Sequence, residues 1–81
     1  MITGKLGFNP KNGRFGILIS DLWEVEGLHC GKTLEFYDYD ADKWISDRLE
    51  AEYPANNPYA WYLVESKKTG AELEGLRVRI E

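Results

Sequence analysis

Hydrophobic and polar positions alternate in short runs along this chain, and turn residues separate the runs. Apolar side chains share one parity in Met1–Phe8 and again in Arg14–Ile19. Between them lies 9–13, Asn-Pro-Lys-Asn-Gly, in which proline fixes φ and Asn-Gly tolerates the positive φ of a tight turn. This arrangement predicts a β-hairpin at the start of the chain.

Further runs predict further strands. The segment Thr33–Tyr37 alternates around Leu34 and Phe36, and the segment Leu76–Ile80 alternates apolar residues with arginines. The apolar and aromatic run Tyr59–Val64 is typical of a strand that is buried on both faces.

Three segments are less regular. Lys43–Tyr53 contains good helix formers, but its apolar residues alternate and its neighbours are β-rich, so we interpret it as the longest strand. Asp21–Gly31 has apolar residues spaced like a single helical turn and is interrupted by glycine, which predicts a long structured loop. Lys67–Glu74 is predicted to be a polar linker with a helical turn at its end.

The turn signals recur about every 8–12 residues, which is typical of a small barrel or sandwich. We therefore predict an all-β fold, an SH3-like antiparallel barrel of about five or six strands with one long loop. An open barrel or a curled antiparallel sheet is the alternative. The 81 residues leave room for one domain, residues 1–81.

Composition narrows the classes of function. The net charge of −4 disfavours extensive binding to nucleic-acid phosphates. Cys30 is the one cysteine, so no disulfide framework is expected, and a reducing, cytoplasmic location fits best. Neither a secretory signal nor a long apolar stretch is found, so we expect no contact with a membrane. Nothing in the sequence implies a cofactor.

Several stretches resemble a family of short proteins from Gram-positive bacteria and their mobile elements, classed as a domain of unknown function. The stretches that carry the resemblance are 11–16 (KNGRFG), 21–31 (DLWEVEGLHCG), 43–45 (KWI), 61–64 (WYLV) and 74–80 (EGLRVRI). The resemblance covers most of the chain. It implies a self-contained domain in a bacterial or phage setting, and it implies no activity, ligand or catalytic residue.

Candidate catalytic and metal sites are poorly formed. Asp38, Asp40 and Asp42 have the spacing that starts a calcium loop, but Lys43 and Leu49 stand where that loop needs Gly and a bidentate Glu. The adjacent His29 and Cys30 have no further Cys or His to complete a zinc site. We therefore predict a solvated turn at 38–42, no metal site and no enzymatic activity.

The aromatic residues are more numerous than one small core hides, so some are expected at the surface, where Trp and Tyr anchor interfaces. The segment 33–52 holds seven acids and two bases. We predict a non-enzymatic protein-interaction domain, a monomer or weak homodimer, that binds a protein partner. The predicted contact residues are Trp23, Tyr39, Trp44, Trp61, Glu35, Asp38, Asp40 and Asp42.

Two alternatives remain at this point. A small barrel that stacks bases on its aromatic rings would bind nucleic acid, with Lys67, Lys68, Arg77 and Arg79 as its only candidate basic patch. An inhibitor that imitates nucleic acid would use the acidic segment 33–52 instead.

Overall fold

The computed structural model describes residues 1–55 and 57–81, which form one antiparallel sheet of seven strands. The strands are β1 (Ile2–Asn9), β2 (Arg14–Ile19), β3 (Leu22–Val25), β4 (Lys32–Asp38), β5 (Lys43–Ala51), β6 (Trp61–Leu63) and β7 (Arg77–Ile80). Short 3-10 turns occupy Pro58–Ala60 and Gly70–Glu72. Over these described residues, no helix has the length and apolar character to cross a membrane.

The strands follow the order β3-β2-β1-β7-β4-β5-β6 across the sheet. Strand β7 is therefore central, and it pairs with β1 through Ile2 and Ile80 and with β4 through Phe36 and Val78. It joins the first three strands, which are connected by hairpin turns, to the three strands β4, β5 and β6.

The sheet curls around its core. Strands β2 and β6 lie near opposite ends of the strand order, yet the rings of Phe15 and Trp61 meet edge to face with centroids 6.4 Å apart. The indole Nε1 of Trp61 also donates a hydrogen bond of 3.0 Å to the carbonyl of Gly13, in the β1–β2 turn. The predicted all-β class is confirmed. The sheet is open and curled and is not a closed barrel, because no ladder of the described residues joins β3 to β6.

The core lies on one face of the sheet, as period-2 alternation predicts. Its most deeply buried side chains are Leu6, Phe15, Ile17, Leu34, Leu49, Trp61, Leu63, Leu73 and Val78. The predicted strands at the first hairpin, at β4 and at β7 are confirmed. The segment predicted as the longest strand is β5, so the strand interpretation of that segment is also confirmed.

The prediction of a long loop over Asp21–Gly31 is wrong for its first half, which is strand β3. Ser20 and Asp21 have φ of 52° and 64°, and the register places Ile19 opposite Leu22. Two residues with positive φ between paired strands form the tight turn that matches strand twist, a type I′ turn. This hairpin raises the count from the predicted five or six strands to seven.

The prediction of a doubly buried strand over Tyr59–Val64 is wrong as well. Its first residues belong to the 3-10 turn Pro58–Ala60, and only Trp61–Leu63 are strand. Trp61 and Leu63 point into the core, while Tyr62 between them is partly exposed. The polar segment after it contains the predicted single turn, slightly earlier than expected, at Gly70–Glu72.

One polar side chain lies inside the core face of β5. Asp47 is 4% exposed, and its carboxylate accepts hydrogen bonds from the backbone N–H groups of Glu65 and Ser66, each 2.9 Å long, and from Arg48, 2.7 Å long. Burial raises the pKa of this carboxyl, but the three N–H groups and the Ser66 side chain together outweigh burial and leave the pKa lowered. Asp47 therefore fastens the segment after β6 to the sheet.

Candidate protein-interaction surface

The outer face of the sheet, opposite the core, gathers aromatic rings and guanidinium groups from three strands. Tyr37 of β4 pairs with Trp44 of β5 in the strand register, and Arg77 and Arg79 of β7 lie beside them. Tyr39 follows β4 in the turn to β5 and is 71% exposed. We call these five residues the arginine–aromatic face.

The three rings are packed in a row. Tyr37 meets Tyr39 edge to face at a centroid distance of 4.8 Å, and it meets Trp44 in the same way at 5.4 Å. Edge-to-face pairs at these distances stabilise beyond the area that they bury. Tyr37 is therefore the centre of the cluster.

The two arginines hold the rings from the side of β7. The guanidinium carbon of Arg79 lies 4.2 Å from the centroid of the Trp44 ring, and that of Arg77 lies 5.5 Å from both Trp44 and Tyr37. Arg79 also donates a charge-assisted hydrogen bond of 2.7 Å to Glu35 on β4. Cation–π contacts of this kind stabilise by about 0.5–1 kcal/mol each at exposed sites.

The acidic turn between β4 and β5 supports the cluster. The Asp38 carboxylate accepts from the backbone N–H groups of Asp40 and Ala41, at 2.9 and 3.2 Å, so it shapes the turn. The Tyr37 hydroxyl donates to the Asp42 carboxylate, and this hydrogen bond is the main reason that the pKa of Tyr37 is raised. Two of the three aspartates thus have structural partners.

The segment 33–52 does not present a continuous acidic surface. Asp47 is buried, Glu35 is paired with Arg79, and Glu50 is paired with Arg48 at 2.9 Å. The side chains that stay exposed without an ion pair to a described residue are those of Asp40, Asp42 and Glu52. The charge counted along segment 33–52 does not include Arg77 and Arg79, which β7 places beside this segment in the folded sheet.

The predicted contact residues divide among three places. Glu35, Asp38, Tyr39, Asp40, Asp42 and Trp44 lie at or beside the arginine–aromatic face. Trp23 lies on β3, near the other end of the sheet, with its Cη2 atom 3.5 Å from the position that a Cβ on Gly7 would occupy.

The expectation that Trp61 lies at a contact surface is wrong. Its side chain is 1% exposed, because the curl of the sheet brings it against Phe15 and Gly13. Trp61 is a core residue that closes the open side of the sheet.

Tyr37, Arg77 and Arg79 are the members of the face that the predicted contact set leaves out. The alternation in β7 places both arginines on the face opposite Val78, so their orientation is readable from the sequence. The sequence pattern does not show which residues lie beside these arginines. The residues that pair between β4 and β7 are more than 40 positions apart in the sequence, and local patterns do not reveal pairing over such a separation.

A groove adjoins the face at Arg77. It has a volume of about 630 Å³, and its lining includes Lys5, Leu18, Ile19 and Glu74 as well as Arg77. It lies on the side of β1 and β2, and its lining combines apolar side chains with two cations, Lys5 and Arg77, and two acids, Asp21 and Glu74.

The remaining candidate sites stay apart. The thiol of Cys30 is exposed, with its Sγ 4.0 Å from the Tyr53 hydroxyl. Across the part of the chain that the structure describes, no three His, Cys, Asp or Glu side chains come together as a metal site requires.

Comparison with known structures confirms the fold at the level of the whole chain. A crystal structure of a protein from Ruminococcus gnavus, determined by the Northeast Structural Genomics Consortium, superposes with a TM-score of 0.71. The two sequences are 30% identical, and the match covers 98% of this chain and 100% of the other. A comparison with curated proteins found no match.

The family resemblance seen in the sequence is confirmed as far as the domain itself. Residues 4–80 match the domain of unknown function DUF5348, which is nearly the whole of the chain. The chain therefore belongs to the DUF5348 family.

Proposed function

We propose that this domain is a non-enzymatic protein-interaction module of a bacterial or mobile-element protein, and that the arginine–aromatic face is its contact surface. The observation that carries the proposal is the composition of this face, which is one Trp, two Tyr and two Arg on the outer side of the sheet. These three residue types are the ones enriched at the energetic centres of protein interfaces.

The organisation of the face supports the same proposal. Ring contacts and cation–π contacts fix Tyr37 and Trp44 in place, so little side-chain entropy would be lost when a partner docks. The groove beside Arg77 adds a concave region that can receive a side chain of the partner. Two side chains have shifted pKa values, the Asp47 carboxyl and the Tyr37 phenol. Both side chains make hydrogen bonds that shape the fold and contribute to these shifts.

The test is a pull-down from lysate of the host cell with the tagged domain, with and without nuclease, followed by mass spectrometry. We expect Trp44→Ala to lower recovery of a specific protein at least tenfold, because it removes the ring on which both arginines rest. Tyr53→Ala is the matched control, since Tyr53 is 84% exposed and lies outside the face. Equal recovery with the two variants would contradict the proposal.

Circular dichroism on each variant separates loss of binding from loss of fold. Trp44 is only half-buried and lies outside the core, so Trp44→Ala is expected to keep the spectrum and most of the stability of the parent domain.

Single-stranded nucleic acid is the second candidate. The observation that favours it is that Lys5 pairs with Arg77 in the strand register. Together with Arg79, these residues place three cations beside aromatic rings on which bases can stack. Fluorescence anisotropy with a labelled oligonucleotide at rising salt distinguishes the two. Salt-sensitive binding that is lost in Arg77→Ala would favour nucleic acid as the ligand. Absence of binding at low salt would exclude single-stranded nucleic acid and favour a protein partner.

A further inference from the structure

The two edges of the sheet differ. The outer side of β6 is covered by the chain that follows it, because Leu63 donates a backbone hydrogen bond of 2.9 Å to Lys68 and Tyr62 bridges to Thr69. Strand β3 pairs with β2 alone among the described strands. In an antiparallel pair, alternate residues direct their N–H and C=O groups away from the partner, so β3 offers backbone hydrogen-bonding groups to a further strand.

The open edge is held in a fixed position at both ends. The turn at Ser20 and Asp21 fastens its start. At its end, the carbonyl of Glu26 accepts hydrogen bonds from the side-chain amides of Asn9 and Asn12, at 3.1 and 3.0 Å. An edge that is already extended and anchored loses little conformational entropy when another strand adds to it.

The side chains of the edge are apolar and acidic. Leu22 is 73% exposed and Trp23 is 37% exposed. Asp21, Glu24 and Glu26 are exposed and make no ion pair with a described residue. Natural sheets protect exposed edges with charged side chains, proline, bulges or short edge strands. Strand β3 is four residues long, carries Glu24 and pairs with β2 through a register shift between Ile17 and Leu18, but it has no proline that would remove an N–H donor and no lysine that would repel a basic partner.

The charge pattern decides which occupant fits. Between residues 20 and 28 every ionisable side chain is an acid. A second copy of the chain, paired edge to edge, would bring Asp21, Glu24 and Glu26 of both copies to one seam with no cation between residues 20 and 28 to offset their repulsion. Arg14 packs against Gly27, past the end of the strand, and leaves the edge itself acidic.

We propose that the open edge of β3 binds an extended, basic and apolar segment of a partner protein, which adds to the sheet as an eighth strand. Backbone hydrogen bonds supply the pairing, Leu22 and Trp23 supply apolar contacts on the two faces, and the acids select lysine or arginine in the partner. This inference goes beyond the proposed function because it uses a different part of the molecule.

The test uses the whole domain and an eight-residue peptide that alternates lysine with valine. Amide chemical shifts are followed by NMR during the titration, with hydrogen exchange of the same amides. We expect the largest shifts at residues 22–25, slower exchange there, and affinity that falls as salt rises. The Trp44→Ala variant is expected to bind the peptide as the parent does, so failure of the proposed function and of this inference can be told apart.

Two variations make the test specific. The same peptide with N-methyl groups on every residue has no backbone donor on either edge and is expected to lose binding at least tenfold. In the domain with Glu24→Lys and Glu26→Lys, we expect the affinity for the lysine peptide to fall at least tenfold and the affinity for a glutamate–valine peptide to rise.

Other results overturn the inference. These are equal binding of the lysine and glutamate peptides by the parent domain, shifts centred on Arg77 and Trp44, absence of shifts, or concentration-dependent self-association through β3 in peptide-free samples.

Discussion

At the scale of single residues, Asp47 shows how one buried carboxylate organises a loop. Its position between core residues of β5 is costly unless every lone pair is used, and three backbone N–H groups meet that need. Alternation along β5 predicts that position 47 faces the core, yet the sequence pattern does not reveal its partners, because they follow β6 and reach β5 only in the folded state.

Replacement of the Asp47 carboxylate is expected to lower the free energy of unfolding by more than the small change in the side chain implies. Asp47→Asn keeps the shape but removes the charge and aims an NH2 group at backbone donors, so we expect a loss of about 1–3 kcal/mol in the free energy of unfolding. Urea denaturation at neutral pH measures this loss. Asp40→Asn, at an exposed turn position, is the matched control and is expected to change stability by less than about 0.5 kcal/mol.

The lowered pKa of Asp47 also sets a direction for the pH dependence. Its stabilising contribution is fully present above the ordinary carboxyl pKa of 3.8 and is lost as pH falls through the lower pKa of the folded state. Stability measured between about pH 5 and pH 2 should therefore fall less steeply in Asp47→Asn than in the parent. An identical slope in both proteins would show that Asp47 has no part in acid unfolding.

At the scale of elements, the hairpin β2–β3 explains where sequence reasoning succeeded and where it failed. The first hairpin is predictable because Asn12-Gly13 is the sequence that tight turns favour, and Gly13 indeed has φ of 69°. The second hairpin turns at Ser20-Asp21, which adopt positive φ at a cost and lack the glycine of the favoured type I′ sequences, so the turn signal there is weak. For that reason the sequence pattern does not predict strand β3.

The same cost predicts a stabilising change. Ser20→Asn with Asp21→Gly installs the favoured turn sequence, and we expect it to raise the free energy of unfolding by about 1 kcal/mol, because two positive-φ positions become unstrained. Thermal denaturation followed by circular dichroism measures the change. The control is Asp40→Gly, at a turn position whose φ is not positive, where added chain flexibility is expected to lower stability.

At the scale of the whole molecule, the sequence predicts the class of fold but not its closure. Alternating runs are sufficient to predict an all-β domain and the inward residues of β4 and β7. The position of Trp61 depends on how far the sheet curls, which brings β6 to β2 across the core. The same long-range order places Arg77 and Arg79 against Trp44, so the arginine–aromatic face exists only in the assembled sheet.

The central place of β7 leads to a prediction for truncated chains. A chain that ends at Leu76 lacks the strand between β1 and β4, along with the buried side chains of Val78 and Ile80. We expect it to be unfolded at 25 °C, because no other ladder among the described residues joins the two halves of the sheet. Proton NMR dispersion and circular dichroism test this, with a chain that lacks only Glu81 as the folded control.

The position of β7 also bears on how the domain matures in the cell. A ribosome releases β1 to β3 first and β4 to β6 next, as two half-sheets that no ladder of the described residues joins directly. Only when residues 77–80 leave the exit tunnel can the two halves be joined. Productive folding is thus deferred until after synthesis of these residues, and until then the nascent chain depends on whatever shields its exposed apolar surface, such as a chaperone.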